Sequence, residues 1–159
     1  MKILIVSDTH GKHDMLERAI AKVKSFDMFI HIGDIEGGES YIESLLDCEM
    51  HMIRGNNDFF SALPPEKEFR IGPHKVFITH GHNHLVLVNP NRVREAGKLR
   101  HADIVMFGHT HRPYLEVSKD ITLLNPGSLT YPRQEGRKGS YMVMNVGENG
   151  EIDYEIFYI

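Results

Sequence analysis

The sequence predicts an α/β fold in which two β-sheets pack together and helices cover the outside. Three observations carry this expectation. Short apolar runs alternate with helical segments from Met1 to Ile53, the order of parallel βαβ units with right-handed crossovers. The last third breaks into strand-length runs separated by turn residues, which reads as antiparallel β. Five apolar runs end on Asp, Asn or His, and α/β folds place their sites just past the carboxyl ends of strands.

Each element has its own warrant. The first strand is about Lys2 to Val6, an Ile-Leu-Ile-Val run stopped by Ser7-Asp8. A helix from about Asp14 to Ser25 places Met15, Ala19, Ile20 and Val23 on one face. The second strand spans about Asp27 to Ile32. Gly37-Gly38 breaks the chain before a helix from about Ser40 to Leu46, and a third strand covers Met50 to Ile53. Pro64-Pro65 marks a loop. Glu68 to Ile71 and Lys75 to Thr79 flank Gly72-Pro73 as a hairpin. A polar loop carrying His82 and His84 leads to a helix from about Asn91 to Leu99, then to a strand from Ile104 to Phe107. Tyr114 to Val117, Ile121 to Leu124, Tyr141 to Val146 and Ile152 to Tyr158 read as strands, the last two joined at Asn149-Gly150. No repeat or linker divides the chain, so residues 1–159 are expected to form one domain.

Composition narrows the function classes. The chain has 41% hydrophobic and 25% charged residues, an ordinary globular balance. A net charge of −4 argues against a dedicated nucleic-acid surface. No segment approaches the ~20 apolar residues of a membrane span, and the first apolar run is too short for a signal peptide. The lone Cys48 excludes an internal disulfide framework, is expected in the core, and fits a reducing cytoplasm. The outlier is histidine, with 11 in 159 residues.

The ends of the five runs are Asp8 and His10, Asp34, Asn56, His80, and His109 and His111. Asp8 and His10 are two residues apart, as are His109 and His111; in extended chain both members of a pair project to one side. Two Asp, four His and one Asn are too many ligands for one metal ion and suit two. Asp34, central in the strand order, is expected to bridge them. Mixed N and O ligation favours Mn, with Ni, Fe, Co or Zn as alternatives to it, and disfavours Ca. Without thiolates, a structural zinc finger is excluded. His82 is a candidate substrate contact. His13 and His84 are weaker rim candidates, and His31 is expected to be a core histidine. Arg92, Arg94, Lys98 and Arg100 read as a solvated helix face, while Arg133, Arg137 and Lys138 sit in a loop facing phosphate or water.

Asp8-Thr9-His10, Gly33-Asp34, Gly55-Asn56-Asn57-Asp58, His80-Gly81-His82 and Gly108-His109-Thr110-His111 resemble, in order and spacing, the motifs of the calcineurin-like metallophosphoesterases, and in particular their small single-domain phosphodiesterase branch. The resemblance runs from Met1 to the Asn125-Pro126-Gly127-Ser128 turn, which it places near the pocket. It implies a four-layer α/β/β/α sandwich of two mixed β-sheets flanked by helices. It implies one metal on Asp8, His10 and His111, a second on Asn56, His80 and His109, and Asp34 bridging both. Asn57 stands where the family motif carries a His that protonates the leaving group, and Asp58 is kept. Asn57, Asp58 and His82 are therefore the expected catalytic positions.

The expected activity is hydrolysis of a small phosphodiester by in-line attack of a metal-bridging hydroxide. A nuclease or cyclic-nucleotide phosphodiesterase differs from this only in substrate. The alternative of another class is a non-catalytic protein-binding scaffold; a retromer subunit resembling this family is one and also lacks the motif His. Phe59-Phe60 and Leu63-Pro64-Pro65 would then be the contact patch, or a homo-oligomer contact.

Overall fold

The computed structural model describes residues 1–159. In chain order the elements are β1 (Lys2–Val6), α1 (His13–Val23), β2 (Met28–Ile32), α2 (Glu39–Leu45), β3 (Glu49–Ile53), β4 (Glu66–Ile71), β5 (His74–Thr79), α3 (Asn91–Leu99), β6 (Ile104–Phe107), β7 (Pro113–Glu116), β8 (Thr122–Pro126), β9 (Ser140–Val146) and β10 (Ile152–Tyr158). They form two five-stranded mixed sheets, in the orders β10-β9-β1-β2-β3 and β4-β5-β6-β8-β7.

Alternation of side chains along each central strand builds the layers. In β1, Ile3 and Ile5 face the other sheet and pack with Ile30, Ile32, Val76, Ile78, Ile104 and Met106. Leu4 and Val6 face the opposite way, onto Leu16, Ala19 and Val23 of α1 and Ile42 of α2. In the second sheet, Phe77, Val105 and Leu123 face outward onto Val93 and Ala96 of α3. Three apolar interfaces thus separate four layers, helix, sheet, sheet and helix. Because both faces of β1, β2 and β6 are covered, these strands are apolar runs, with Lys2 at the start of β1 and His31 in β2 as their only polar members. No helix is long and apolar enough to cross a membrane.

One expectation about topology is corrected. β8 runs parallel to β6, with Ile104 opposite Thr122, and only β7 is antiparallel to it. Every residue of β8 is buried, whereas β7 is half-buried throughout. The more apolar strand therefore takes the interior place and β7 is left at the edge. β9 then crosses to the first sheet and pairs antiparallel with β1. The parallel strands β1, β2 and β3 and the parallel pair β5 and β6 all point their carboxyl ends to one side of the molecule.

Candidate metal centre

All seven expected ligands follow those carboxyl ends. Five of them, Asp8, His10, Asp34, His109 and His111, are non-glycine residues with φ between 47° and 67°. The left-handed region costs an L-residue about 1–2 kcal/mol, so such a concentration is a signature of a site held by its surroundings. It also corrects the extended-chain argument. Asp8 and His10 do face one place, but through a tightly turning backbone, as do His109 and His111. Close approach of two loops adds a steric demand. A Cβ on Gly33 (φ +86°) would lie 2.6 Å from the Gly55 nitrogen and 2.8 Å from His80 Nδ1, so only glycine fits.

The side-chain atoms converge. One ligand atom each from Asp8, His10, Asp34 and His111 lies within 4.8 Å of all the others. His111 Nε2 is 3.2 Å from Asp8 Oδ1, and His10 Nε2 is 3.4 Å from His111 Nε2. Asp34 Oδ2 lies between the halves, 3.9 Å from His10 Nε2 and 3.4 Å from His80 Nε2. Ligands held about 2.0–2.2 Å from a shared ion stand roughly 3–3.5 Å from one another, so these spacings suit a cation. Asp8 Oδ1, His80 Nε2 and Asn56 Oδ1 are buried without any hydrogen-bond partner. Buried polar atoms without partners are costly, and divalent cations bound here would satisfy them. The residues therefore fit the metal ions that the fold and ligand types imply. The His109 ring lies 5.2 Å from the His80 ring.

Three of the imidazoles are oriented by their far nitrogens. His80 Nδ1 donates to the Ile32 carbonyl and His111 Nδ1 to the Tyr131 carbonyl, each at 2.7 Å. His10 Nδ1 donates to Glu36 Oε1 at 2.7 Å. In all three, Nε2 is turned toward the centre, where it can ligate an ion once it carries no proton. The carboxylates are pinned as well. His109 N donates to Asp8 Oδ2, while Asn57 donates to Asp34 twice, from its backbone N at 2.9 Å and from Nδ2 at 2.7 Å.

That last bond changes the place expected for Asn57. Its amide is turned onto Asp34 because a carboxylate acceptor lies within reach. Asp58 is buried, and its two oxygens accept from Glu36 N and Gly55 N. Through these two backbone amides it ties the β2 and β3 loops together. His82 lines a cavity with Arg54 and Asn56, and its Nδ1 is buried without a partner.

Charge is balanced internally. Burial alone would raise the Asp8 carboxyl, but His111, 3.2 Å away, and the field of His80 hold it below the usual range. The Asp34 carboxyl is likewise driven down, against its burial, by His80 and by Asn57. His80 is the counterpart. Burial would lower it, yet Asp34 and Asp8 push it up to about 9. His109 goes the other way, to about 4, through burial and the neighbouring His80. Without metal, the site draws in a proton on His80 to offset two buried carboxylates.

Other histidines are structural. His31 is buried, held by burial down to about 4, and contacts Thr9 Oγ1 at 2.9 Å. His13 packs on Tyr41, and His84 bonds Glu66. Arg94 and Arg100 are not simply solvated, since they pair with Glu116 and Glu66. Cys48 is half-buried against the core under the first sheet. Sequence reasoning overlooked Glu36, Thr130 and Tyr131. Thr130 Oγ1 and Ser128 Oγ both donate to the Asp8 carbonyl, across more than a hundred residues of sequence. Of these, only Ser128 lay in a motif that had been singled out.

A family model for the calcineurin-like phosphoesterase superfamily domain matches residues 1–149. The chain belongs to this superfamily. A probable metallophosphoesterase of Bacillus subtilis, YsnB, is 30% identical over 149 residues, covering 92% of this chain and 85% of the relative. Among solved structures of the fold, a Streptococcus pneumoniae protein described as a predicted phosphoesterase superposes with a TM-score of 0.80 at 25% identity, covering 99% of this chain and 97% of that one. An archaeal phosphodiesterase gives 0.75 at 25% identity, with 99% and 100% covered. Vps29 of Entamoeba histolytica, complexed with Zn2+, gives 0.78 at 22% identity and 99% coverage of both chains, a likeness of fold. Membership of the superfamily, with a candidate metal site in place, supports a metal-dependent hydrolase.

Proposed function

We propose that this calcineurin-like phosphoesterase is a dinuclear metal-dependent phosphodiesterase. Asp8, His10 and His111 would hold one ion, Asn56, His80 and His109 the other, and Asp34 both. The observation that carries this reading is the set of buried, unpartnered ligand atoms around Asp34. When bound, the ions supply Lewis acidity and a water activated for in-line attack on phosphorus. Mn is the expected ion, and the lone cysteine keeps a cytoplasmic setting within this reading.

The residues do the rest. Tethering of His10, His80 and His111 through Nδ1 fixes where a phosphoryl group can sit. Four nearby hydroxyls are committed elsewhere: Ser7, Ser128 and Thr130 donate to the Ile32 and Asp8 carbonyls, and Thr9 is engaged with His31. In this reading transfer is direct to water. Asn57 has no proton to give at neutral pH, and its amide holds Asp34. His82, with an unpartnered Nδ1 at the site, is the group left to meet a leaving-group oxygen; burial and the nearby His80 keep it neutral. Without a strong general acid, good leaving groups are favoured.

The test is hydrolysis of bis(p-nitrophenyl) phosphate and p-nitrophenyl phosphate by chelated protein, with Mn, Ni, Co, Fe and Zn added one at a time. Restoration of diester hydrolysis by a first-row ion supports the reading, and full activity in metal-free protein overturns it. A second reading, a protein-binding scaffold, rests on the exposed Phe59-Phe60 pair beside the site. Inactivity on every ester with every metal would favour it.

A further inference from the structure

We propose that the substrate is a small phosphodiester carrying a second phosphoryl group, and that Arg112, Arg133 and Arg137 take that group in a groove beside the metal centre. This rests on the phosphodiesterase reading above. The groove has a volume of about 540 Å³. His10, His111, Tyr131 and the three arginines line it. If roughly spherical it is about 10 Å across, room for a ligand arm extending from a phosphoryl group held at the imidazoles.

Two arginines elsewhere, Arg94 and Arg100, are neutralised by Glu116 and Glu66. Arg112, Arg133 and Arg137 are exposed, and none has a carboxylate at ion-pair distance, although Glu135 lies in the same loop. Lys12 adds a fourth cation, its Nζ 4.3 Å from the centre of the Tyr131 ring. Four unpaired cations gather here in a chain of net charge −4. Guanidinium forks match phosphate oxygens two at a time.

The groove is also built onto the metal centre. Arg133 N donates to the His111 carbonyl at 2.9 Å, and His111 Nδ1 donates to the Tyr131 carbonyl at 2.7 Å. Arg112 Nε donates to the Arg133 carbonyl at 3.2 Å. The loop bearing the cations is thus held in register with an expected ligand. Glu36 and Glu39 line another cavity, next to His10 through the Glu36–His10 hydrogen bond. A polyanionic strand crossing the centre would meet those carboxylates, whereas a short substrate with one anionic arm, directed to the arginine side, would not.

Two measurements test this. The first compares kcat/KM for thymidine 5′-(p-nitrophenyl phosphate) with and without a 3′-phosphate, in metal-loaded enzyme. The 3′-phosphate should raise kcat/KM about tenfold or more, and salt should erode the gain. In Arg133→Ala and Arg137→Ala the ratio should fall toward one, with Arg133→Lys retaining part of it. The second measures binding of thymidine 3′,5′-bisphosphate against the 5′-monophosphate to chelated protein, where turnover plays no part. A tenfold preference lost in the same variants supports the groove. Hydrolysis of both esters with a ratio near one, unchanged by the variants, overturns the inference and leaves the phosphodiesterase reading intact. No hydrolysis of any diester, with the binding preference present, overturns that reading and keeps the groove.

Discussion

Protonation of His80 in the metal-free site makes the strongest quantitative prediction. Its pKa is pushed from 6.5 up to about 9 because the carboxylates of Asp34 and Asp8 outweigh its burial. A group whose pKa is raised by folding stabilises the protein fully below its unfolded value and loses that contribution as pH climbs to the folded one. At about 1.4 kcal/mol per unit, a rise from 6.5 to about 9 is worth roughly 3 kcal/mol. His111, also raised against its burial by Asp8, adds in the same direction. Chelated protein should therefore lose stability between pH 6.5 and 9. At about 2–4 °C per kcal/mol for a chain of this size, Tm should drop on the order of 10 °C. Metal must displace the same proton. For the ion that binds His80, apparent affinity should rise nearly tenfold per pH unit from 7 toward 9, with about one proton released at pH 7.5. Thermal melts of chelated protein across this range, with calorimetric metal titrations in buffers of different ionisation enthalpy, measure both. Asp34→Asn removes the main cause of the shift and should flatten both slopes. A Tm independent of pH in chelated protein, or metal binding without proton release, would refute the charge balance argued for the site.

Further outcomes follow from single side chains. Asp34→Asn should lose at least one metal ion and most activity while circular dichroism stays native, because Asp34 lies beyond the strand; normal binding of two ions would sink its bridging role. Asn57→Ala removes the 2.7 Å donor to Asp34 Oδ2 and should weaken metal binding about tenfold, measured by chelator competition. Asp58→Ala strips acceptors from two backbone amides and should cost about 1.5–3 kcal/mol of stability in denaturant unfolding. Phe60→Ser touches only solvent and should keep diester hydrolysis within about twofold; a changed oligomeric state by light scattering would mark that face as an interface.

Most of the fold was legible because its signals are local. Ile3-Leu4-Ile5-Val6 can be buried only as a strand covered on both faces, and Met15, Ala19, Ile20 and Val23 keep helical spacing. The metal-binding chemistry was legible because residues of matching type recur at run ends. The pairing of β8 with β6 was not, since Thr122–Pro126 carries no sign of direction. Nor was the backbone at Asp8 and His10, where spacing argued for extended chain and the loops turn left-handed.

By itself, then, the sequence determined which residue types follow five of the strands, and hence a candidate metal site in an α/β frame. Tertiary structure alone decided how those residues are held. Asp8 is fixed by Ser128 and Thr130, His111 by Tyr131, and Asp34 by Asn57. It also decided that Asp58 ties two loops together and that Arg112, Arg133 and Arg137 meet beside His10 and His111. Hydrophobic period is written in consecutive residues, whereas a hydrogen bond from residue 130 to residue 8 exists only once two sheets have packed and brought their loops to one edge.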